Sequence, residues 1–454
     1  MKNGAVRMIS ASGILGYGFP ESSLKAGLER KPDMIGVDGG SSDPGPHYLG
    51  SGKTFTNRLS VKRDMSLLLR GAIANKIPMM IGTCGGAGGE PHLQTCVEIL
   101  HEIAREHDLH FKLAKIHSEQ DKSWLKRKVK EGRVHPLGSA PALADSTIDR
   151  AERIVGMMGP EPHMKALAEG AQVILAGRGT DPAPWAALAM HHGIPPAQAW
   201  FSGKMLECAC NAALPKKHDC LMVTTTHDYV EAEPLNPELR CTPLSVAVQA
   251  LHENSSPIIH KEPGGLLDTS ACAITPHTER AVRISGMQWH AQPYTIKLEG
   301  AEKVGYSAIT FAGTRDPGLI GQIDDFMRGV REAVATKVAA FDVSPEQYQL
   351  VLRLYGRNGV MGDWEPAANA ASHEIGILAE AVAKTQDIAN AVISVTRVTL
   401  LHSDFAGRMC KEGNMAFPFS PSDIERGPIY EFSIRHVVEP DDPLEMFPIE
   451  YERI

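Results

Sequence analysis

Three short apolar runs, each ending in glycines, set the strongest limit on how this chain can fold. They are "PDMIGVDGG" at 32–40, "IPMMIGTCGGAGG" at 77–89 and "AQVILAGRGTD" at 171–181. Stretches with apolar residues at helical spacing lie between them, at 61–76 and 92–107. Short buried strands that alternate with helices predict a parallel sheet covered by helices on both faces.

The pattern changes near residue 235, where the proline-rich connectors "EPLNPELRCTP" and "NSSPIIHKEPGG" begin. We expect an α/β domain over 1–235 and a smaller α+β domain over 236–454. The second domain is predicted in the order ββαβαβ: strands at 293–300 and 304–313, a helix through 319–338, a strand at 348–356, a helix over 371–386 and a strand over 390–401. The tail at 413–440 is too apolar to be loose, so we expect it to dock as strands.

Composition excludes several classes of function. The chain has 454 residues, of which 43% are hydrophobic, and a formal charge of −8, so we expect neither a nucleic acid nor a membrane surface as its partner. It shows no apolar run of spanning length and no signal-peptide core, and a cytoplasmic location is expected.

Eight scattered cysteines without a C-x-x-C pair predict no metal site. No motif requires a cofactor, although a divalent metal is left open.

The segment "PHYLGSGKT" at 46–54 ends like a nucleotide-binding phosphate loop. In such a loop four residues separate the first glycine from the Gly-Lys-Thr, and His47 stands at the position of that glycine. The spacing argues against ATP hydrolysis.

The glycine-rich strand ends are predicted to form one ligand crevice, because ligands bind beyond the carboxyl ends of parallel strands. Successive glycines there expose backbone N–H groups that suit a carboxylate, a phosphate or a developing oxyanion. In the first loop Asp38 is a catalytic candidate, and the capping of turns is the alternative role for it and for Asp43. The first loop supplies these candidate ligand contacts: Gly39, Gly40, Ser41, Ser42, Asp43, His47 and Lys53.

The other two loops repeat this pattern. Arg178 can clamp a carboxylate, whereas Thr180 or Asp181 is expected to cap the following helix. Cys84 stands between Thr83 and a glycine pair, where an exposed thiol would act as a nucleophile or contact the substrate; we favour contact because no histidine can be placed beside it. The candidate ligand contacts of these loops are Thr83, Gly85, Gly86, Arg178, Gly179, Thr180 and Asp181.

Two further residues are candidates for acid–base chemistry. Glu207 lies in the apolar stretch "GKMLECAC", which would raise its pKa; an exposed helix glutamate is the alternative. His227 follows the strand-like "CLMVTTT", and a surface histidine is the alternative there.

The order of several motifs resembles the acyclic terpene utilisation proteins of the AtuA type over nearly the whole chain. The motifs are "IVGMMGPEPHMKALAEGAQVILAGRGTD", "LEC" at 206–208, "VRISG" at 282–286 and "NMAFPFSPSDIERGPIYEF". The resemblance implies catabolism of branched acyclic acids through CoA thioesters, often beside a small companion protein. It supplies no catalytic residue. The loop at 83–86 and the short Pro263–Gly265 stretch depart from the family pattern and leave room for another substrate.

These observations together predict a catabolic enzyme that acts on a small carboxylic acid or acyl-CoA through an enolate, as a lyase, hydratase or isomerase. The alternatives are a hydrolase or amidase that uses Cys84, and a non-catalytic subunit that requires a small companion.

The apolar tail and the open crevice also predict a homo-oligomer. Light scattering should give at least twice the chain mass of 49.1 kDa, and deletion from Asn414 onward should impair both assembly and activity. A monomeric parent chain would contradict the expectation.

Overall fold

The computed structural model describes residues 4–367, 370, 372–410 and 413–454. Its contacts divide the chain into two compact units, Met1–Glu302 with Phe432–Ile454, and Lys303–Glu431. The boundary expected near residue 235 falls inside the first unit, because strands on both sides of that residue join one sheet.

The strands and helices are bounded as follows. The strands are β1 (Val6–Ser10), β2 (Met34–Asp38), β3 (Met79–Gly82), β4 (Lys112–Ile116), β5 (Val134–Pro136), β6 (Ala151–Gly156), β7 (Val173–Ala176), β8 (Ala213–Leu214), β9 (Leu221–Thr225), β10 (Tyr229–Pro234), β11 (Arg240–Cys241), β12 (Ile259–Glu262), β13 (Gly265–Asp268), β14 (Ala273–Pro276), β15 (Val282–Ser285), β16 (Gln288–Ala291), β17 (Ile296–Thr314), β18 (Tyr348–Tyr355), β19 (Ile375–Ala383), β20 (Asp423–Val438) and β21 (Ile449–Arg453). The α-helices are α1 (Glu21–Glu29), α2 (Pro46–Ser51), α3 (Arg58–Asn75), α4 (Glu90–His107), α5 (Lys122–Lys130), α6 (Asp145–Arg150), α7 (Glu161–Ala168), α8 (Ala183–His191), α9 (Pro196–Leu206), α10 (Pro243–Leu251), α11 (Pro317–Gly321), α12 (Ile323–Ala339) and α13 (Gln386–His402).

The first unit is built on a ten-stranded sheet in the order β14-β15-β10-β9-β1-β2-β3-β7-β4-β21. Its five central strands, β1, β2, β3, β7 and β4, run parallel, and antiparallel strands extend both edges. The expected α/β class with a mainly parallel N-terminal sheet is confirmed.

Helices cover both faces of this sheet, which explains why its central strands are apolar throughout. One core lies around Leu68 and Leu69 of α3 and Leu93 and Leu100 of α4. The other core contains Trp185 of α8 and residues of α9. No helix among the described residues is both long and apolar enough to cross a membrane.

The second unit contains an antiparallel ladder that pairs β19 with β18 and with the 306–314 part of β17. Helices α12 and α13 contribute Val330, Val334, Val392 and Ile393 to the apolar core of this unit. Met415 of the tail is buried in the same core.

Two predicted elements of this unit are wrong. The helix expected over 371–386 is strand β19, whose burial alternates residue by residue, as a half-buried strand requires; residue 371 itself lies outside the described part. The strand expected over 390–401 lies in α13, where the side chain of Thr385 caps the helix by accepting from Ile388 N. Its many β-branched residues suggested a strand, but they are buried at helical spacing.

Two other local predictions also differ from the structure. The strands expected at 293–300 and 304–313 form the single strand β17. The long loop expected after β2 contains the short helix α2.

A pair of glycine substitutions tests how tightly the parallel edge is packed. A Cβ at Gly39 would lie 2.4 Å from the Thr83 carbonyl oxygen, so Gly39→Ala should destabilise the protein by about 1–3 kcal/mol. Gly329 is exposed in α12 with open space beside it, so Gly329→Ala should stabilise by roughly 0.5–1 kcal/mol. Denaturant unfolding measures both, and equal effects would contradict the close approach.

Candidate active site

The three glycine-rich loops meet at the carboxyl edge of the parallel sheet. Asp38 at the end of β2 is in register with Gly82 at the end of β3, and Thr83 N donates to the Gly177 carbonyl beyond β7 at 3.1 Å. The Thr83 hydroxyl also accepts from Gly179 N at 3.3 Å. Direct contacts between the loops therefore position the side chains that follow each strand.

A polar cavity of about 600 Å³ opens beside these loops. Its wall carries five carboxyl groups and three cations, and the side chains of Arg178, Lys204 and Glu207 among them are buried. The described residues that line it are Ser41, Asp43, Met157, Arg178, Thr180, Asp181, Pro182, Lys204, Glu207, Glu253, Asn254, Lys261 and Glu262.

Arg178 forms a buried ion pair with Glu299 of β17. Its Nε lies 3.0 Å from Glu299 Oε2, and its Nη1 lies 3.4 Å from Asp181 Oδ1. Burial by itself would raise the pKa of Glu299, but the charges of Arg178 and Lys297 outweigh it and lower that pKa to about 2. Ser42 donates its hydroxyl to the same Glu299 oxygen at 2.9 Å. This ion pair thus joins the first and third loops.

Glu207 follows the last residue of α9 and is paired with Lys204, one helical turn earlier. Lys204 Nζ lies 2.5 Å from Glu207 Oε1 and 2.7 Å from the His252 carbonyl oxygen. Both side chains are buried. Burial raises the pKa of Glu207 to about 8; Lys204 opposes this rise and Asp181 adds to it. A carboxyl group that holds a proton near neutral pH is suited to proton transfer.

Three other carboxyl groups share this environment. Burial raises the pKa of Asp38 well above its ordinary value, and the charge of Asp181 adds to the rise while Arg178 opposes it. Burial and the charge of Glu207 act in the same way on the pKa of Glu262. The pKa of Asp181 is also raised by burial, against the effect of Arg178. Asp38 Oδ1 has no hydrogen-bond partner within the described part of the chain. Several carboxyl groups of the site therefore hold their protons more tightly than ordinary acids do.

The structure brings together twelve of the residues expected in the site. Asp38 and Ser42 lie next to the cavity wall, and the backbone of Gly39, Gly40, Thr83 and Gly179 forms the loops that carry it. Six expected residues line the cavity directly: Ser41, Asp43, Arg178, Thr180, Asp181 and Glu207.

Cys84 does not lie at this cavity. It is fully buried in the apolar core on one face of the sheet, and its thiol points towards the Ile81 carbonyl oxygen at 3.9 Å. Burial raises the pKa of Cys84 well above its ordinary value, so its thiolate is disfavoured. The exposed thiol expected at this strand end is therefore not found.

His227 lies at the amino end of β1, whereas the glycine-rich loops follow the carboxyl ends of the parallel strands. Strand β9 runs antiparallel to β1 and pairs Thr225 with Val6, so the turn after Thr225 is at the amino end of β1. His227 is exposed in that turn. A strand-like run was recognised correctly, but its direction could not be read from its residues.

Other expected contacts are also outside the cavity wall. Lys53 is exposed, and its carbonyl accepts a hydrogen bond from the buried ring of His92 at 3.1 Å. Gly85 and Gly86 pack against His92 and Phe55, and the ring of His47 contacts Tyr48.

The capping role expected for Thr180 or Asp181 is wrong. Helix α8 has Pro182 at its N-cap and no side-chain cap hydrogen bond. Asp181 instead faces Arg178 and the cavity.

Several residues of the site were missed by sequence reasoning. Lys204 had a detectable signal, since it stands three residues before Glu207 in an otherwise apolar helix. Glu299 had a weaker signal as a charged residue within the strand-like "IKLEG". Nothing local marked Glu253, Lys261 or Glu262, which reach the cavity only through the tertiary fold.

Within the described part of residues 4–454, no group of three or more His, Cys, Asp or Glu side chains is arranged to hold a metal ion.

Residues 60–226 match the model of a family described as acyclic terpene utilisation family protein AtuA. The family resemblance seen in the sequence is thereby confirmed over that segment, and the family description refers to a catabolic process. No curated protein and no solved structure matches the chain. The matched segment includes Arg178, Lys204 and Glu207, whereas Asp38, Glu262 and Glu299 lie outside it.

The raised pKa of Glu207 predicts how stability depends on pH. A carboxyl group that binds its proton more tightly in the folded state than in the unfolded state stabilises the folded protein at low pH. This stabilisation is lost as pH rises from the unfolded pKa towards the folded pKa. Relative to Glu207→Gln, the parent should therefore become less stable between about pH 4.5 and 8, by at most about 1.4 kcal/mol per pH unit. Denaturant unfolding at several pH values measures this difference.

The control is Glu29→Gln, a change at an exposed position of α1, which should give a pH-independent difference. If the Glu207→Gln difference is also flat, Glu207 has an ordinary pKa.

Proposed function

We propose that this chain, whose residues 60–226 match the AtuA family, is a catabolic enzyme that forms or discharges an enolate in a small carboxylic acid or its CoA ester. The observation that carries the proposal is the buried Glu207–Lys204 pair at the wall of the polar cavity. A lyase, a hydratase and an isomerase can all use such an intermediate.

Glu207 is proposed as the group that moves the proton. As the carboxylate it accepts a proton from the carbon next to a carbonyl, and its raised pKa makes it a stronger base than an exposed glutamate. The site is most active in this direction when Glu207 is ionised. The rate should therefore rise with pH through about 8.

Lys204 is proposed to stabilise the oxyanion. An ammonium group has three N–H donors, and two of them are directed to Glu207 and the His252 carbonyl. The third can donate to the enolate oxygen that forms as Glu207 takes the proton. Arg178 is proposed to hold the loops of the site in position and to contribute its positive charge there, because its guanidinium is already paired with Glu299 and Asp181.

The charge balance of the cavity favours an uncharged reacting group. Five carboxyl groups face three cations, and two of these cations, Arg178 and Lys204, are already paired with carboxylates. A free di- or tricarboxylate would add like charge to this wall. Within the proposed substrate class, the neutral carbonyl of a thioester fits better than a free acid.

The alternative functions have less support. A hydrolase that uses Cys84 is disfavoured by the burial of that thiol in the apolar core. A non-catalytic role beside a small companion stays an alternative, and an assay of the purified chain alone distinguishes it. We also propose that the chain assembles into at least a dimer, and only the apolar tail supports this proposal.

Exchange of substrate protons with solvent tests the proposed reaction. In D₂O, the purified chain should incorporate deuterium next to the carbonyl of at least one short branched acyl-CoA in a panel followed by mass spectrometry. Glu207→Gln should lower the exchange rate by roughly 100-fold, and Glu29→Gln should leave it unchanged.

Exchange by Glu207→Gln at the parental rate would contradict the role of Glu207. Absence of exchange with every thioester and free acid in the panel would contradict the enolate reaction.

A further inference from the structure

A second cavity, of about 330 Å³, lies beside the loop that follows β1. We propose that it binds the aromatic base and a phosphate group of a nucleotide. Leu15 N in this loop donates to the Asp38 carbonyl at 2.8 Å, so the cavity shares the carboxyl edge of the sheet, where ligands bind in α/β folds. The described residues that line it are Gly13, Ile14, Tyr17, Cys208, Cys210, Asn211, Lys216, Lys217, His218 and Asp219.

An aromatic wall supplies the surface for the base. Tyr17 is 44% exposed, so part of its aromatic ring is accessible to a ligand. Its ring contacts the ring of His218 edge-on at 5.5 Å and lies 6.5 Å from the ring of Phe55. These neighbours hold one aromatic ring at the mouth of the cavity, where a planar base can stack on it.

Two adjacent lysines supply the charge for a phosphate. Lys216 Nζ donates to the backbone carbonyl of Asn211 and to its side-chain oxygen, the latter at 3.2 Å, and no carboxylate pairs with it in the described part of the chain. Lys217 pairs with Glu238 at 2.9 Å, with 49% and 71% of the two side chains exposed. A phosphate can displace so exposed a partner, because surface ion pairs contribute little.

The carboxylate among the described residues of this wall, Asp219, already accepts hydrogen bonds from the protein. Asp219 is buried, and its two oxygens accept from Cys220 N and Asn236 Nδ2, each at 2.7 Å. The accessible charge of the cavity is therefore positive, in contrast to the neighbouring acidic cavity.

The position of the cavity points to two sources of the nucleotide. Glu207 lines the acidic cavity and Cys208 lines this one, so the two cavities share the peptide that joins these residues. The occupant is either a free nucleotide or the nucleotide end of a CoA thioester whose acyl end reaches Glu207. Only the second source depends on the proposed function.

Calorimetric titration tests the site with three probes: adenosine 3′,5′-bisphosphate, CoA and inorganic phosphate. The parent should bind both nucleotides. The double change Lys216→Ala and Lys217→Ala should weaken nucleotide binding roughly tenfold or more, and Tyr17→Ala should weaken the nucleotides but not phosphate. All of these residues are exposed or partly exposed, so the thermal unfolding of each variant should match the parent.

The matched control is Lys25→Ala with Lys130→Ala, which removes the same charge from two exposed helical positions and should leave binding intact. Tighter binding of CoA than of the bisphosphate supports the thioester source, and equal binding supports a free nucleotide. The proposal is overturned if neither nucleotide binds the parent, or if the lysine variant and its control bind alike. These outcomes do not depend on proton exchange at Glu207.

Discussion

The ion pair between Arg178 and Glu299 is the contact on which the shape of the candidate site depends. Both side chains are buried, and Glu299 also accepts hydrogen bonds from Ser42 and from Lys297. Removing one partner would leave an uncompensated buried charge, which typically costs about 3–5 kcal/mol. The pair connects the loops after β2 and β7 and keeps the guanidinium beside Asp181. The loops that define the cavity are thus held by charge as well as by backbone hydrogen bonds.

The chemistry of the cavity follows from its excess of carboxylates. Burial, together with like charges at Asp181 and Glu253, raises the pKa of Glu207 although Lys204 lies next to it. The same environment that disfavours an anionic substrate thereby produces a carboxyl group that can exchange a proton near neutral pH. The neighbouring cavity has the opposite accessible charge and an aromatic wall. A ligand with an uncharged acyl end and a phosphate-bearing end would match both cavities.

The parallel sheet and its common loop edge could be predicted because apolar runs that end in glycines carry a strong local signal. Arg178, Asp181 and Glu207 were found for the same reason, since each stands beside such a run or within an apolar helix. The sequence pattern predicted a helix where β19 lies and a strand where α13 lies. These two errors could not be avoided, because small and β-branched residues fit both periodicities. Cys84 and His227 were misplaced because the direction of a side chain and of a strand depends on tertiary pairing. Glu262 and Glu299 reach the site from distant strands, which local sequence does not reveal.

The central claim is that Glu207 keeps its proton at neutral pH inside a polar cavity. Infrared difference spectroscopy of the parent against Glu207→Gln measures this directly through the C=O stretch of a protonated carboxyl group. The band should be present in the parent at about pH 6 and should disappear with a midpoint near 8. Loss of the band with a midpoint near the ordinary glutamate value of about 4.3 would contradict the account.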